Sequence, residues 1–483
     1  MAKEDIIARA LRKAEISDKK RKQVLGEIKE SLEKEKSLKA SIKEGGYASV
    51  MSGFTNDYIT PYALTLNAST SQIGFLSSFA ALFSPLSQIL GSRLMEKYSR
   101  KKLLITFVSL HALMLLPIIF LALFSWQNLF SSYLPIILIM FYSLYAIFGS
   151  IAGPAWFSLL GDLVPEKIRG KYFGKRNKIC GSIALASTFI AAFILDFFKT
   201  RGLVLLGFSC LFLIACIARL ISAYLFKKHY EPKLELDKSY YFSFWQFIKK
   251  APSNNFGRFV IFVAITHFTV SIAGPFFAVY MLKELNFSYS TFMLVNLAAA
   301  VTSLLFMPVW GRFSDKYGNR ELMRIGNILL PFVPLLWTLS KSPTYLILIP
   351  QIISGLGWSA FNLSASNFIY DSVSPQRRGI CVAYYNVLNG LGVFVGASLG
   401  GLLIQYLPIT FISKFLFIFI ISGILRATIS FISFKSIKEI KKVEKHAGFF
   451  FYIKEPVRGF MLETSRDFIS LKSRFRKTTK RFS

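Results

Sequence analysis

Few ionisable residues interrupt the apolar runs of this chain, and those few bound the chemistry it can do. Asp57 is the acid nearest the middle of such a run. Ser49, Ser52, Gly53, Asn56 and Thr60 fall on one helical face at 3.6-residue spacing, with Asp57 beside them. A polar stripe of this kind suits the wall of an internal cavity, where an acid can take up and release a proton as the cavity faces each side in turn. Three roles stay open for Asp57: proton carriage, direct contact with a solute, and hydrogen bonding at the kink that Pro61 introduces. His267 shares a face with Ser271 and Gly274 and is either a core residue or a ligand. His111 has no polar neighbour at helical spacing and is set aside. Arg219 and Arg426 lie two turns from a polar boundary, where they either snorkel or pair with Asp162 and Asp371 at the same depth; their matched placement favours pairing.

Further cavity candidates are Tyr142, Tyr145 and Trp156, then Asn296, then Trp358, Asn362 and Ser366, and finally Asn386 and Asn389. Aromatic walls with scattered amides suit an amphipathic or weakly charged organic solute, the alternative being that the rings face lipid. No catalytic constellation accompanies them: no nucleophile, base and orienting group cluster, so enzyme activity is not expected. Cys180, Cys210, Cys216 and Cys381 show no C-x-x-C spacing, so no metal, disulfide framework or cofactor is expected. The absence of G-x-x-x-x-G-K-[ST] removes ATP-driven transport by this chain.

These residues must be positioned by membrane-crossing elements. With 483 residues, 53% hydrophobic, 16% aromatic and only 17% charged, the composition does not fit a water-facing globular surface. Twelve apolar stretches are long enough to cross about 30 Å of hydrocarbon as helices. They cover 47–68, 72–94, 102–124, 131–158, 176–198, 202–226, 256–281, 288–310, 322–340, 344–369, 380–405 and 411–434. The net charge of +32 would by itself suggest nucleic acid, but its distribution excludes that. Of the 58 Lys and Arg, 51 lie in alternate segments on one side, five in the opposite loops and two, Arg219 and Arg426, within spans. By the positive-inside rule both termini are cytoplasmic.

The halves repeat. Ser92 to Lys101, after the second span, returns as Gly311 to Arg320 after the eighth, 219 residues on. Asp162 with Arg169 returns as Asp371 with Arg378, 209 residues on, and Arg219 is matched by Arg426. Pro61 in the first span has its counterpart in Pro275 of the seventh. Six spans duplicated in parallel orientation is the layout of two bundles related by an axis along the membrane normal.

In these motifs the chain resembles the major facilitator superfamily of secondary transporters, over about residues 47–435. Gly311, Asp315, Gly318 and Arg320 resemble that family's signature loop; the first copy departs from it, with Ser92, Glu96 and Ser99 preceding Arg100 and Lys101. The resemblance implies that glycine allows close helix approach, that Glu96 and Asp315 engage helix ends and pair with the adjoining Arg and Lys, and that Asp162, Arg169, Arg219, Asp371, Arg378 and Arg426 complete a cytoplasmic gate. Neither the glycine run of drug/proton antiporters in the fifth helix nor the charged motif that closes the sixth helix of sugar porters is present.

The expected fold is all-α, a polytopic membrane protein of twelve transmembrane helices in two pseudo-symmetric six-helix bundles. A charged helical leader (1–46), lying on a surface or solvated, precedes the first bundle (47–226). A basic and aromatic cytoplasmic loop (227–255), suited to the membrane interface, leads to the second bundle (256–434), and a basic tail follows (435–483). The expected function is secondary active transport of a small organic solute across the cell membrane by rocking between two accessible states, coupled to protons. A multidrug/proton antiporter is one alternative, and a transporter-like sensor or scaffold working through leader and tail is another. Expected partners are the solute, protons and anionic lipid at the basic segments, with the chain acting as a monomer and binding no nucleic acid.

Overall fold

A computed structural model of the chain describes residues 18–165, 169–232, 242–408, 412–433 and 437–440. The described residues are helical throughout, without strands. The helices are α1 (Asp18–Thr55), α2 (Ile59–Thr65), α3 (Thr70–Leu94), α4 (Arg100–Leu113), α5 (Leu115–Trp126), α6 (Leu134–Leu163), α7 (Arg169–Lys199) and α8 (Val204–Leu225). After them come α9 (Phe244–Lys250), α10 (Asn255–Ser271), α11 (Phe276–Val279), α12 (Tyr289–Tyr317), α13 (Asn319–Leu329), α14 (Phe332–Leu336), α15 (Pro343–Leu348), α16 (Pro350–Ser372), α17 (Pro375–Tyr406) and α18 (Lys414–Ser433).

Among the described residues ten helical stretches are long and apolar enough to cross a membrane. The other two expected spans, the first and the ninth, fall on α1–α2 and α13–α14, each broken by a short non-helical turn. Large apolar side chains such as Phe157, Ile190, Phe193, Leu304 and Ile424 are exposed along spanning helices, as a lipid-facing surface requires.

The chain forms two compact units, one of residues 1–68 and 83–237, the other of residues 69–82 and 238–483. The core of the first is built by Leu103, Leu104 and Val108 of α4 against Ala152, Ala155, Leu159 and Leu163 of α6 and Ala223 of α8. In the second unit the core joins Phe259, Phe262 and Val263 of α10 to Phe361, Phe368 and Tyr384. There α17 lies tightly on α10, because Gly392 and Gly396 face the carbonyls of Ala264 and Phe268, and Gly400 faces that of Ile272 just beyond the helix end. Small residues at this spacing let backbones approach closely.

Caps fix several helix starts. Ser99 accepts from the Lys102 N–H at 3.2 Å, Asn254 from Gly257 at 2.6 Å and Ser288 from Thr291 at 3.1 Å. Ser243 and Gln246 form a capping box that starts α9.

Two flanking segments differ from expectation. The leader is not a separate solvated helix in its described part: α1 runs unbroken from Asp18 to Thr55. Ser37, Ala40, Ser41 and Glu44 are buried at three- and four-residue spacing, so one face of the charged helix packs on α7 and α8. In the middle loop, α9 contributes Phe247 to the second unit's core while Trp245 stays exposed, and the Tyr384 hydroxyl donates to the Phe242 carbonyl at 2.5 Å. Tyr240, Tyr241 and most of the basic tail, with the lipid contacts expected there, lie outside the described residues.

Candidate functional site

Helix α1 ends at Thr55 and α2 begins at Ile59, so Asn56, Asp57 and Tyr58 form a turn inside the first span. Pro61, in the first turn of α2, lacks the N–H that a continuous helix would use. Asp57 is exposed in that turn, and its carboxylate has no hydrogen-bond partner among the described residues. The role of fixing the kink by hydrogen bonding therefore finds no support. In the seventh span α10 ends at Ser271 and α11 starts after Pro275, so the second unit carries a matching interruption. Ser52 and Thr60 are half-buried and Asn56 is exposed beside Asp57.

A polar cluster fills the interior of the first unit. The Glu44 carboxylate takes the Arg176 Nη2 at 3.3 Å and the Ser222 hydroxyl at 2.9 Å, and lies 3.9 Å from Arg219 Nη1. Arg219 Nε donates to His111 Nδ1 at 3.3 Å, and the His111 ring packs on Tyr145 with centroids 4.0 Å apart. Tyr145 in turn stacks on Tyr142 at 5.6 Å, and its hydroxyl reaches Thr55 Oγ1 at 3.4 Å. The Arg176 guanidinium lies over the Trp156 ring, 4.8 Å from its centroid. Gly45 makes this possible: a Cβ there would run into the Arg176 guanidinium and the Cys180 sulfur.

The cluster corrects several sequence expectations. Arg219 pairs with Glu44, and Asp162 is held by Arg100 instead, at 2.5 Å. Arg426 is not paired with Asp371: its three guanidinium nitrogens go to the Ser422 hydroxyl and the carbonyls of Leu330 and Val270. Burial in the helix bundle, with carbonyls freed near helix ends, satisfies this cation without an acid. His111, set aside for want of neighbours on its own helix, finds them on α6 and α8. Glu44 falls in the charged leader and Arg176 at the very start of the fifth span, and sequence alone does not show a polar helix end folded into a core.

In the second unit His267 packs on Trp358 at 5.9 Å, and Ser271 is buried against α17. Asn362 and Ser366 are exposed, whereas Asn296, Asn386 and Asn389 are half-buried. No tight cluster like that of the first unit joins these side chains among the described residues.

At the ends of the helices that carry the repeated loops, the repeat reappears as geometry. Arg100, 1% exposed, donates to Asp162, to the Ser158 hydroxyl at 2.9 Å and to the Pro232 carbonyl at 2.6 Å. Its counterpart Asn319 donates to Asp371 at 2.6 Å and accepts from Ser314. Lys101 Nζ reaches the His229 carbonyl at 3.0 Å and its N–H faces Glu231; Arg320 Nε reaches the Ile437 carbonyl at 2.7 Å and its N–H donates to Glu439 at 2.7 Å. Glu96 and Asp315 are exposed and have no ion-pair partner among the described residues, so the acids that engage these loops are Asp162, Glu231, Asp371 and Glu439. Gly311 does not mediate close approach, since a Cβ there would meet nothing within 4 Å. Gly318 is needed for its backbone, with φ at +94°, and a Cβ would strike the Glu439 carboxylate. Arg378 lies over the Tyr370 ring at 4.6 Å, and the side chain of Arg169 lies outside the described residues. Beside Lys101, burial pushes the His229 imidazole below its ordinary range, against the raising effect of its bond to the Leu225 carbonyl.

Comparison with known proteins accounts for this doubled arrangement. The sequence pattern of the Major Facilitator Superfamily matches residues 46–266 and 259–476. The chain belongs to that superfamily. It is 26% identical over 385 residues to an uncharacterized MFS-type transporter of Methanocaldococcus jannaschii, covering 77% of this chain and 92% of that one. A shorter match, 32% identical over 108 residues and 22% of each chain, is to vacuolar basic amino acid transporter 2 of Saccharomyces cerevisiae. Among solved structures, a nucleoside transporter superimposes with a TM-score of 0.66 at 16% identity, covering 83% of this chain and all of that one. A POT family peptide transporter gives 0.64 at 12% identity, covering 86% and 99%. These superpositions show the superfamily's fold. The protein is thus a multi-pass membrane transporter of small molecules and not an enzyme.

Proposed function

We propose that this superfamily member is a secondary active transporter that moves a small organic solute across the cell membrane by alternating access, coupled to protons through Asp57. The observation that carries the coupling is the broken first span, which leaves the Asp57 carboxylate exposed at the turn with no hydrogen-bond partner among the described residues. Interrupted helices at corresponding places of two halves are where transporters of this construction place their sites. Moving one charge through 100 mV is worth about 2.3 kcal/mol, roughly a 50-fold gradient, so one titrating acid is energetically sufficient.

Reconstituted protein tests this. Asp57→Asn removes pH-gradient-driven accumulation while solute exchange without a gradient continues. Accumulation that survives the substitution removes Asp57 as the proton carrier. Multidrug/proton efflux is a second form of the same reading, favoured by the aromatic pairs Tyr142–Tyr145 and His267–Trp358.

A further inference from the structure

Formal charge does not balance in the interior of the first unit. Two guanidinium groups, Arg176 and Arg219, face one carboxylate, Glu44. His111 adds no positive charge, because its Nδ1 accepts a hydrogen bond from Arg219 Nε–H and so carries no proton of its own, which leaves the imidazole neutral. The remaining polar groups packed there, Ser41, Tyr145, Tyr172, Cys180 and Ser222, are uncharged side chains. One positive charge is left over, in a place where an unbalanced charge is expensive.

The hydrogen-bond donors are unbalanced as well. Arg176 uses Nε on the Ser41 carbonyl at 3.4 Å and Nη2 on Glu44. Arg219 uses Nε on His111 and Nη1 on Ser222 at 3.3 Å. Arg176 Nη1 and Arg219 Nη2 have no acceptor among the described residues, and their side chains keep 10% and 13% exposure, so both remain open to an incoming group. Beside them stands one partly exposed aromatic surface, Trp156 under the Arg176 guanidinium.

We propose that Arg176 and Arg219 bind a singly charged carboxylate of the transported solute, with Trp156 against its apolar body. The proposal rests on the transporter reading above and narrows its substrate to apolar monocarboxylates. A planar guanidinium suits the two oxygens of a carboxylate, and one such anion brings the cluster to neutrality. Glu44 sets the charge preference: with it in place a dianion overshoots, and without it a dianion fits.

The test measures binding and transport separately, on purified full-length protein. Calorimetry uses benzoate and phenylacetate as monoanions, phthalate as a dianion, and benzylamine and benzyl alcohol as cationic and neutral controls. Wild-type protein binds a monoanion about tenfold or more tightly than phthalate and than either control. Glu44→Gln reverses the order, favouring phthalate, and Arg219→Gln removes anion binding. Arg176→Lys, which keeps the charge and loses the fork, weakens it about tenfold, and serves if Arg219→Gln does not fold. No monoanion binding by wild type, binding equal to that of benzylamine, or an unchanged charge preference in Glu44→Gln overturns the proposal, because a merely structural ion cluster would not reverse selectivity. Counterflow of labelled benzoate in proteoliposomes separates the two readings. Binding without counterflow removes transport and keeps the site, while counterflow of other solutes without monoanion binding removes the site and keeps transport.

Discussion

Arg100 and Asn319 hold equivalent places in the two halves and anchor equivalent acids with different chemistry. Arg100 is buried and serves three acceptors, whereas Asp162 is 44% exposed and can turn to water. Loss of the cation therefore strands more partners than loss of the acid. Arg100→Gln is expected to lower unfolding stability by about 1–3 kcal/mol, and Asp162→Asn by about 1 kcal/mol or less, the Coulomb part being screened at the exposed carboxylate. Thermal or denaturant unfolding in detergent checks the order, and equal losses would mean that the ion pair dominates. His229 gives a pH dependence on the same face. Its Nδ1 bonds the Leu225 carbonyl at 3.1 Å and its Nε2 is buried without a partner among the described residues, so the folded state holds the neutral ring and its affinity for a proton is lowered. A base weakened on folding contributes stability above its ordinary titration range and loses it as pH falls toward the folded value. Wild-type protein should accordingly lose more thermal stability between pH 7 and pH 5 than His229→Gln; parallel losses would remove His229 as the source.

At the scale of elements, the spans and the repeat were legible because they depend on hydropathy and spacing, which a sequence displays directly. The offset linking Ser99, Arg100 and Lys101 to Gly318, Asn319 and Arg320 survives as matched hydrogen bonds to the segments after α8 and α18. Less legible were contacts between helices distant in sequence. His111 has no polar neighbour along α4 yet meets Arg219 from α8, and Glu44 belongs to the charged leader expected on a surface or in solvent yet lies in the core because α1 continues into the first span. The glycines divide in the same way. Gly396 presses on the Phe268 carbonyl, so Gly396→Val must force α17 off α10, at a loss of about 1–3 kcal/mol. Gly311 meets nothing and sits inside α12, so Gly311→Ala should be neutral or raise stability by about 0.5–1 kcal/mol through helix propensity. Thermal midpoints of the two variants in one detergent decide between packing and flexibility at each position: a Gly396→Val midpoint equal to wild type would deny the close approach.

For the whole molecule, the distribution of the +32 charge predicts an orientation. The 51 Lys and Arg on one side include Arg100, Lys101, Arg176 and Arg320, which the structure ties into hydrogen bonds with their own unit. By the positive-inside rule such residues are expected to orient the chain during insertion, and in the folded state they hold helix ends together. A polybasic face next to an anionic leaflet adds attraction of about 1 kcal/mol per residue near the surface, which further opposes inversion. The positive-inside rule then predicts cytoplasmic termini and assigns a side to each loop. The turn after α5 contains Asn128 and the turn after α3 contains Lys97; both are exposed and lie at opposite ends of the intervening helices. A cysteine placed as Asn128→Cys should react with a membrane-impermeant maleimide in intact cells. Lys97→Cys should react only after permeabilisation, and the reverse pattern would turn the whole assignment over. Because the two positions flank α4 and α5, one pair of labelling experiments also tests whether that stretch crosses the membrane once, as its 27 residues from Arg100 to Trp126 require.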